Sequence, residues 1–252
     1  MRAKSKNKLF GIFIGIQFIL YVSFILLDFF HLYEISSVVK FITIVLCLLM
    51  SLGILVLYER VTDRVMLSIA LSFTVLADVF LLFTEFYTIG VLSFCIVQTI
   101  YLARISRTRW KRERIYLRVK KRYSYSSGKV IFLKQLLLRI LISGVIALSL
   151  IYFNVVVDTL LCVTLFYFIS FMFNIVLTFN IKKRYPHVIG YGKWNLFLLG
   201  LLLFFACDLM VGMFNLSSYV SLPKDMYQSL YQIAGMGMWV FYLPGQVLIT
   251  LS

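Results

Sequence analysis

Two aspartates stand in long apolar surroundings. Asp78 is the one charge in LSFTVLADVFLLF (residues 71–83), and Asp208 is the one charge in LLLFFACDLMVGMF (residues 201–214). An ionisable group at membrane depth costs roughly 2.5–3.5 kcal/mol on insertion scales, so it usually faces a cavity or a partner. Asp78 lies 14 residues beyond Arg64, and Asp208 lies 14 beyond Trp194. At about 1.5 Å of rise per residue, each carboxyl is expected ~21 Å in, slightly past the midplane and level with the other. Two acids in one dry cavity do not both ionise readily, so one should hold its proton near neutral pH. The protonated one is then a general acid, and the other is an anion able to stabilise positive charge or orient water. The same pair would also serve as a proton relay in a transporter.

Other polar side chains reach the same layer. Lys40 opens the second apolar run and can either snorkel outward or pair with an acid. Gln98 and Tyr101 fall in the inner half of the fourth run. Tyr242 and Gln246, four apart, share a helical face, as do Tyr167 and Asn174, seven apart. Taken singly, such residues more often hydrogen-bond between helices than react. Gly11 with Gly15, and Gly235 with Gly237, read as small-residue packing positions, and Pro244 should kink its helix or free a carbonyl. Asp28 and Asp158 sit at the outer ends of their runs and read as interfacial. Only two histidines are present, His31 and His187, expected on opposite faces of a membrane, so a zinc hydrolase lacks its ligand set. No GxSxG or HExxH motif occurs, and neither metal nor cofactor is implied.

The elements that must hold these residues are membrane spans. Of 252 residues, 62% are hydrophobic and only 14% are charged, whereas soluble domains run near half apolar and a quarter charged. Hydropathy gives eight runs near 9–30, 38–57, 65–84, 88–105, 136–154, 159–180, 194–215 and 229–251. Each is close to the ~20 residues that cross ~30 Å of hydrocarbon. Backbone in lipid must satisfy its own hydrogen bonds, so the runs should be helices, and no period-two alternation suggests a barrel. The expected fold is all-α, a polytopic eight-transmembrane-helix bundle forming one membrane domain over residues 1–252. All but Lys40 and Lys224 of the 25 basic residues fall on one side if Arg139 is counted at the start of the fifth span. The positive-inside rule then places both termini in the cytoplasm of a cell-membrane protein. The basic run RISRTRWKRERIYLRVKKRYSYSSGK reads as part of a long cytoplasmic loop, about 104–134, that fixes topology and lies on anionic headgroups. No nucleic-acid module accompanies it, so the lipid bilayer is the expected partner. The four cysteines lie in apolar runs without CxxC spacing and read as small hydrophobes. Nothing in the residues sets an oligomeric state.

LSFTVLADVFLLFTEFYTIGVLSFCIVQTIY resembles the signature of the YhhN-like lysoplasmalogenase family, in which a small residue and Asp near the end of one apolar run are followed by an aromatic–x–x–Gly turn. GLLLFFACDLMVG resembles that family's second acidic motif, and VVKFITIVL its lysine-led second helix. FYFISFMFN and WVFYLPGQVLI are similar to its sixth and eighth helices, and carry Tyr167, Met172, Tyr242 and Gln246. The chain departs from the family at Gln98, where many relatives have His, and at Phe41, where Pro is common. The resemblance implies an eight-helix hydrolase that cleaves the vinyl ether bond of a lysophospholipid, releasing a fatty aldehyde and a glycerophospho-alcohol. It implies Asp78 and Asp208 as the catalytic pair, with Lys40, Gln98, Tyr101, Tyr167, Asn174, Tyr242 and Gln246 as substrate contacts. A proton-coupled transporter and a non-catalytic lipid-binding protein are the alternatives.

Overall fold

The computed structural model describes residues 2–58, 61–119, 127–184, 191–214 and 224–252. They form eight helices: α1 (Arg2–Phe29), α2 (Tyr33–Leu57), α3 (Thr62–Phe83), α4 (Tyr87–Val119), α5 (Gly128–Tyr152), α6 (Thr159–Arg184), α7 (Tyr191–Phe214) and α8 (Lys224–Leu251). No strand occurs among the described residues. All eight helices are long and apolar enough to cross a membrane, and large apolar side chains such as Phe18, Ile19, Val56, Leu141 and Leu148 point outward, as a multi-pass membrane protein requires.

Several helices outrun their apolar cores. Backbone hydrogen bonding does not stop at the hydrocarbon edge, and Lys, Arg and Glu are good helix formers. Most of the basic 104–134 segment is therefore helix: α4 continues to Val119 and α5 begins at Gly128. Residues 120–126 lie outside the described residues. Ser127 starts α5 by accepting a bond from the Lys129 N–H at 3.2 Å.

The helices divide into two compact units. The first is discontinuous, residues 1–58 with 192–252, and contains α1, α2, α7 and α8; the second, 59–191, contains α3 to α6.

In the first unit α1 stops in a left-handed turn at His31, φ 59°. The His31 N–H reaches the Asp28 carbonyl (3.1 Å) and the Leu32 N–H reaches Leu27 (2.9 Å), the Schellman pattern that satisfies the last carbonyls. Pro244 inside α8 has no N–H for the carbonyl one turn back. That carbonyl, on Val240, accepts instead from the Tyr21 hydroxyl of α1 at 3.2 Å. The freed carbonyl expected from the sequence is thus satisfied by another helix. α7 and α8 meet backbone to backbone at Gly200 and Gly245: a Cβ on Gly200 would lie 2.8 Å from the Gly245 carbonyl oxygen. Gly237 lies against Met210 of α7 in the same seam. Gly11 and Gly15, expected to pack, face nothing within 4 Å. Their spacing matches a packing motif, but among the described residues of this unit nothing lies against them.

In the second unit the α3–α4 turn is tied by Thr84, whose hydroxyl donates to the Phe80 carbonyl (2.7 Å) and accepts from the Phe86 N–H (3.2 Å). Gly90 then lets α4 press on α3, since a Cβ there would meet Leu81 at 2.7 Å. α5 ends as α1 does, at Asn154 with φ 59° and paired bonds to Ile151 and Leu150. Asp158, exposed as expected, accepts from the Leu161 N–H at 2.8 Å and caps α6.

Candidate functional site

The second unit holds a polar core built on Asn174. Tyr167, Asn174, Thr178 and Ile181 form one buried stripe of α6, as the seven-residue spacing predicted. The Asn174 amide donates to both the backbone carbonyl (2.9 Å) and the side-chain oxygen (2.8 Å) of Gln98 on α4. Its own oxygen accepts from Nη2 of Arg139 on α5 at 2.9 Å. One amide therefore ties three helices, and all three side chains are fully buried. Nε and Nη1 of Arg139 and Nε2 of Gln98 have no hydrogen-bond partner. The guanidinium lies over the Phe173 ring at 5.7 Å, a cation–π contact that offsets part of its desolvation.

Arg139 was counted with the topology charges at the start of the fifth span. α5 begins at Gly128, which carries Arg139 about 16 Å along it, where it is 0% exposed. A cation flanked by LLL and ILI in a helix that starts eleven residues earlier was the available signal.

Tyr101 is fully buried on α4, and Tyr167 stacks at 5.9 Å from both Phe94 and Phe171. The Cys95 thiol, donating to the Val163 carbonyl at 3.5 Å, ties α4 to α6 nearby. Asp78 sits about 24 Å along α3 and is 3% exposed. Its turn is the one held by Gly90, whose Cβ position also approaches the Ala77 carbonyl.

In the first unit Lys40 has found its acid. Nζ donates to Asp28 Oδ2 at 2.7 Å and to Oδ1 at 3.0 Å, and both residues are buried. The ammonium also lies 5.4 Å from the Phe24 ring and 5.2 Å from the Trp239 ring. Asp28 was expected at the interface with water. Helical side chains lean toward the N-terminus, so Lys40, two turns into α2, reaches back to the last turn of α1 and draws Asp28 inward. From Trp239 the aromatic contacts continue to Tyr242 (5.5 Å) and on to Phe204 of α7 (5.2 Å). Gln246, one turn beyond Tyr242, is fully buried, and neither its amide nitrogen nor its oxygen has a partner. Asp208, about 26 Å along α7, is half-buried beside buried Cys207.

The structure thus brings Gln98 and Asn174 into direct contact and puts Tyr101 and Tyr167 in the same unit as Asp78. Lys40, Tyr242, Gln246 and Asp208 belong to the other unit. Three of the four cysteines are buried, and Cys162 is exposed on α6. Among the described residues no three His, Cys, Asp or Glu side chains group as metal ligands; His187 lies outside them. No protein-family model, curated protein or solved structure matches the chain. The likeness to the YhhN-like lysoplasmalogenase family stands on the quoted residues alone.

Proposed function

We propose that the chain is a membrane-embedded hydrolase of the YhhN-like lysoplasmalogenase family, cleaving the vinyl ether of a single-chain lysophospholipid, with Asp78 and Asp208 as its acid–base pair. What supports this reading is the placement of the two acids deep along apolar helices, and the burial of Asp78 is the observation that carries the proposal. A carboxyl group sheltered from bulk water is suited to act as a general acid.

Vinyl ether hydrolysis needs such a donor. Protonation of the alkene carbon gives an oxocarbenium ion, which the second group, as carboxylate, stabilises, much as paired carboxyls do in glycosidases. Water adds to the cationic carbon and loses a proton to the carboxylate. The resulting hemiacetal collapses to the fatty aldehyde and the glycerophospho-alcohol. No cofactor enters this scheme. The positive-inside bias supports cytoplasmic termini for this proposed cell-membrane enzyme.

Purified protein given a lysoplasmalogen should release aldehyde, and Asp78→Asn should lower the rate at least ~100-fold, the usual scale of a general-acid contribution. Full turnover by that variant would refute the assignment, and aldehyde formation absent even from the wild-type protein would refute the activity.

A further inference from the structure

The basic ends of α4 and α6 enclose a cleft of about 330 Å³, lined by Arg109, Leu177, Asn180, Ile181, Lys183 and Arg184. Three of its six lining residues are cationic and none is acidic. Asp63, the acid at the start of α3, is bound to Arg104 instead. Among the described residues neither Arg109 nor Lys183 pairs with a carboxylate. Glu113, one turn beyond Arg109 on α4, forms no ion pair with it. Like charges gathered around one hollow repel each other unless an anion enters.

The depth of the cleft selects the anion. Arg109 lies about 33 Å along α4 from Tyr87, and Lys183 about 36 Å along α6 from Thr159. Hydrocarbon is ~30 Å thick, so both cations emerge at headgroup level. Leu177 and Ile181 add apolar lining, and exposed Asn180 adds an amide. The volume equals roughly ten waters, room for a phosphoryl group with the glycerol that carries it. Arg binds phosphate through a fork of N–H donors, and Lys binds it as a point charge.

We propose that this cleft is a binding site for a phosphoryl group presented at headgroup depth, best filled by the phosphate monoester of an anionic lipid. Arg109 and Lys183, neither of them paired with a carboxylate, favour a phosphate carrying more than one negative charge over the singly charged diester of a zwitterionic lipid. The cleft includes neither Asp78 nor Asp208 in its lining, and the proposal holds whether or not the chain is a hydrolase.

The test uses the purified full-length protein in detergent, offered phosphatidate or phosphatidylcholine, with bound lipid counted by native mass spectrometry. Retention of phosphatidate is expected to exceed that of phosphatidylcholine about tenfold. The Arg109→Gln/Lys183→Gln pair should remove that preference. Arg107→Gln/Lys111→Gln, an equal charge change on α4 outside the cleft, should keep it. Equal retention of the two lipids, or equal loss in both variant pairs, would overturn the site. Inorganic phosphate in excess separates the sources: displacement of phosphatidate makes the free phosphoryl group a sufficient ligand, and persistence of the lipid makes its glycerol and chains part of what is recognised.

Discussion

Lys40 of the first unit and Arg139 of the second are both buried cations on apolar helices, and they are accommodated differently. Lys40 in the first unit has a carboxylate at 2.7 Å and two aromatic rings over its ammonium. Arg139 in the second has one amide oxygen, one ring and no carboxylate, and it keeps two nitrogens without acceptors. A closed ion pair is neutral and holds two helices in register. A buried guanidinium shared with an amide leaves hydrogen-bonding capacity unused, so the surroundings of Arg139 stay open where those of Lys40 are closed. The contrast teaches that charge in a span is not one kind of feature: its cost depends on whether the neighbouring helix supplies the opposite sign.

The largest effect should come from breaking the closed pair. Asp28→Asn strands the Lys40 charge and is expected to cost about 3–5 kcal/mol in detergent unfolding, and Lys40→Met added to it should restore most of that loss. Failure of the second change to rescue would mean the pair does not act as a unit. In the other unit Asn174→Leu removes both bonds to Gln98 and the one hydrogen bond to Arg139, the last alone worth about 1.5–3 kcal/mol as a bond to a charged group. Arg139→Met sharpens the comparison. It removes a charge that has no carboxylate, so it should cost less than Lys40→Met, which strands Asp28; equal costs would erase the distinction. Gly200→Ala places a methyl against the Gly245 carbonyl and should cost about 1–2 kcal/mol, the lower part of the overpacking range. Tyr21→Phe, which leaves the Val240 carbonyl beside Pro244 without its donor, should be the mildest at about 0.6 kcal/mol, the average for interhelical bonds in membranes.

Hydropathy made the eight helices legible because lipid demands a continuous apolar run and an internally bonded backbone. It did not show their ends, since α4 keeps its helix through RISRTRWKRERIYLRV, where propensity rather than hydropathy governs. The faces of Tyr167 with Asn174 and of Tyr242 with Gln246 followed from spacing alone, and all four are buried. Partners were less legible. Pro244 announced a freed carbonyl, but its donor, Tyr21, lies 219 residues from Val240. Arg139 counted as a topology charge because it stands near the start of the fifth apolar run, and spacing gave no sign that its neighbours in space are Asn174 and Phe173. GIFIG has the spacing of a packing motif but nothing within 4 Å of its glycines among the described residues, while Gly200 and Gly245 pack closely with no motif to mark them.

Asp78 and Asp208 belong to different units, yet the proposed chemistry makes them halves of one machine. A double-mutant cycle on aldehyde release tests that directly. With Asp78→Asn, Asp208→Asn and the combination compared against wild type, residues acting as one unit give a double variant no slower than the worse single one. Losses that multiply, or a single variant that turns over at the wild-type rate, would contradict the shared role.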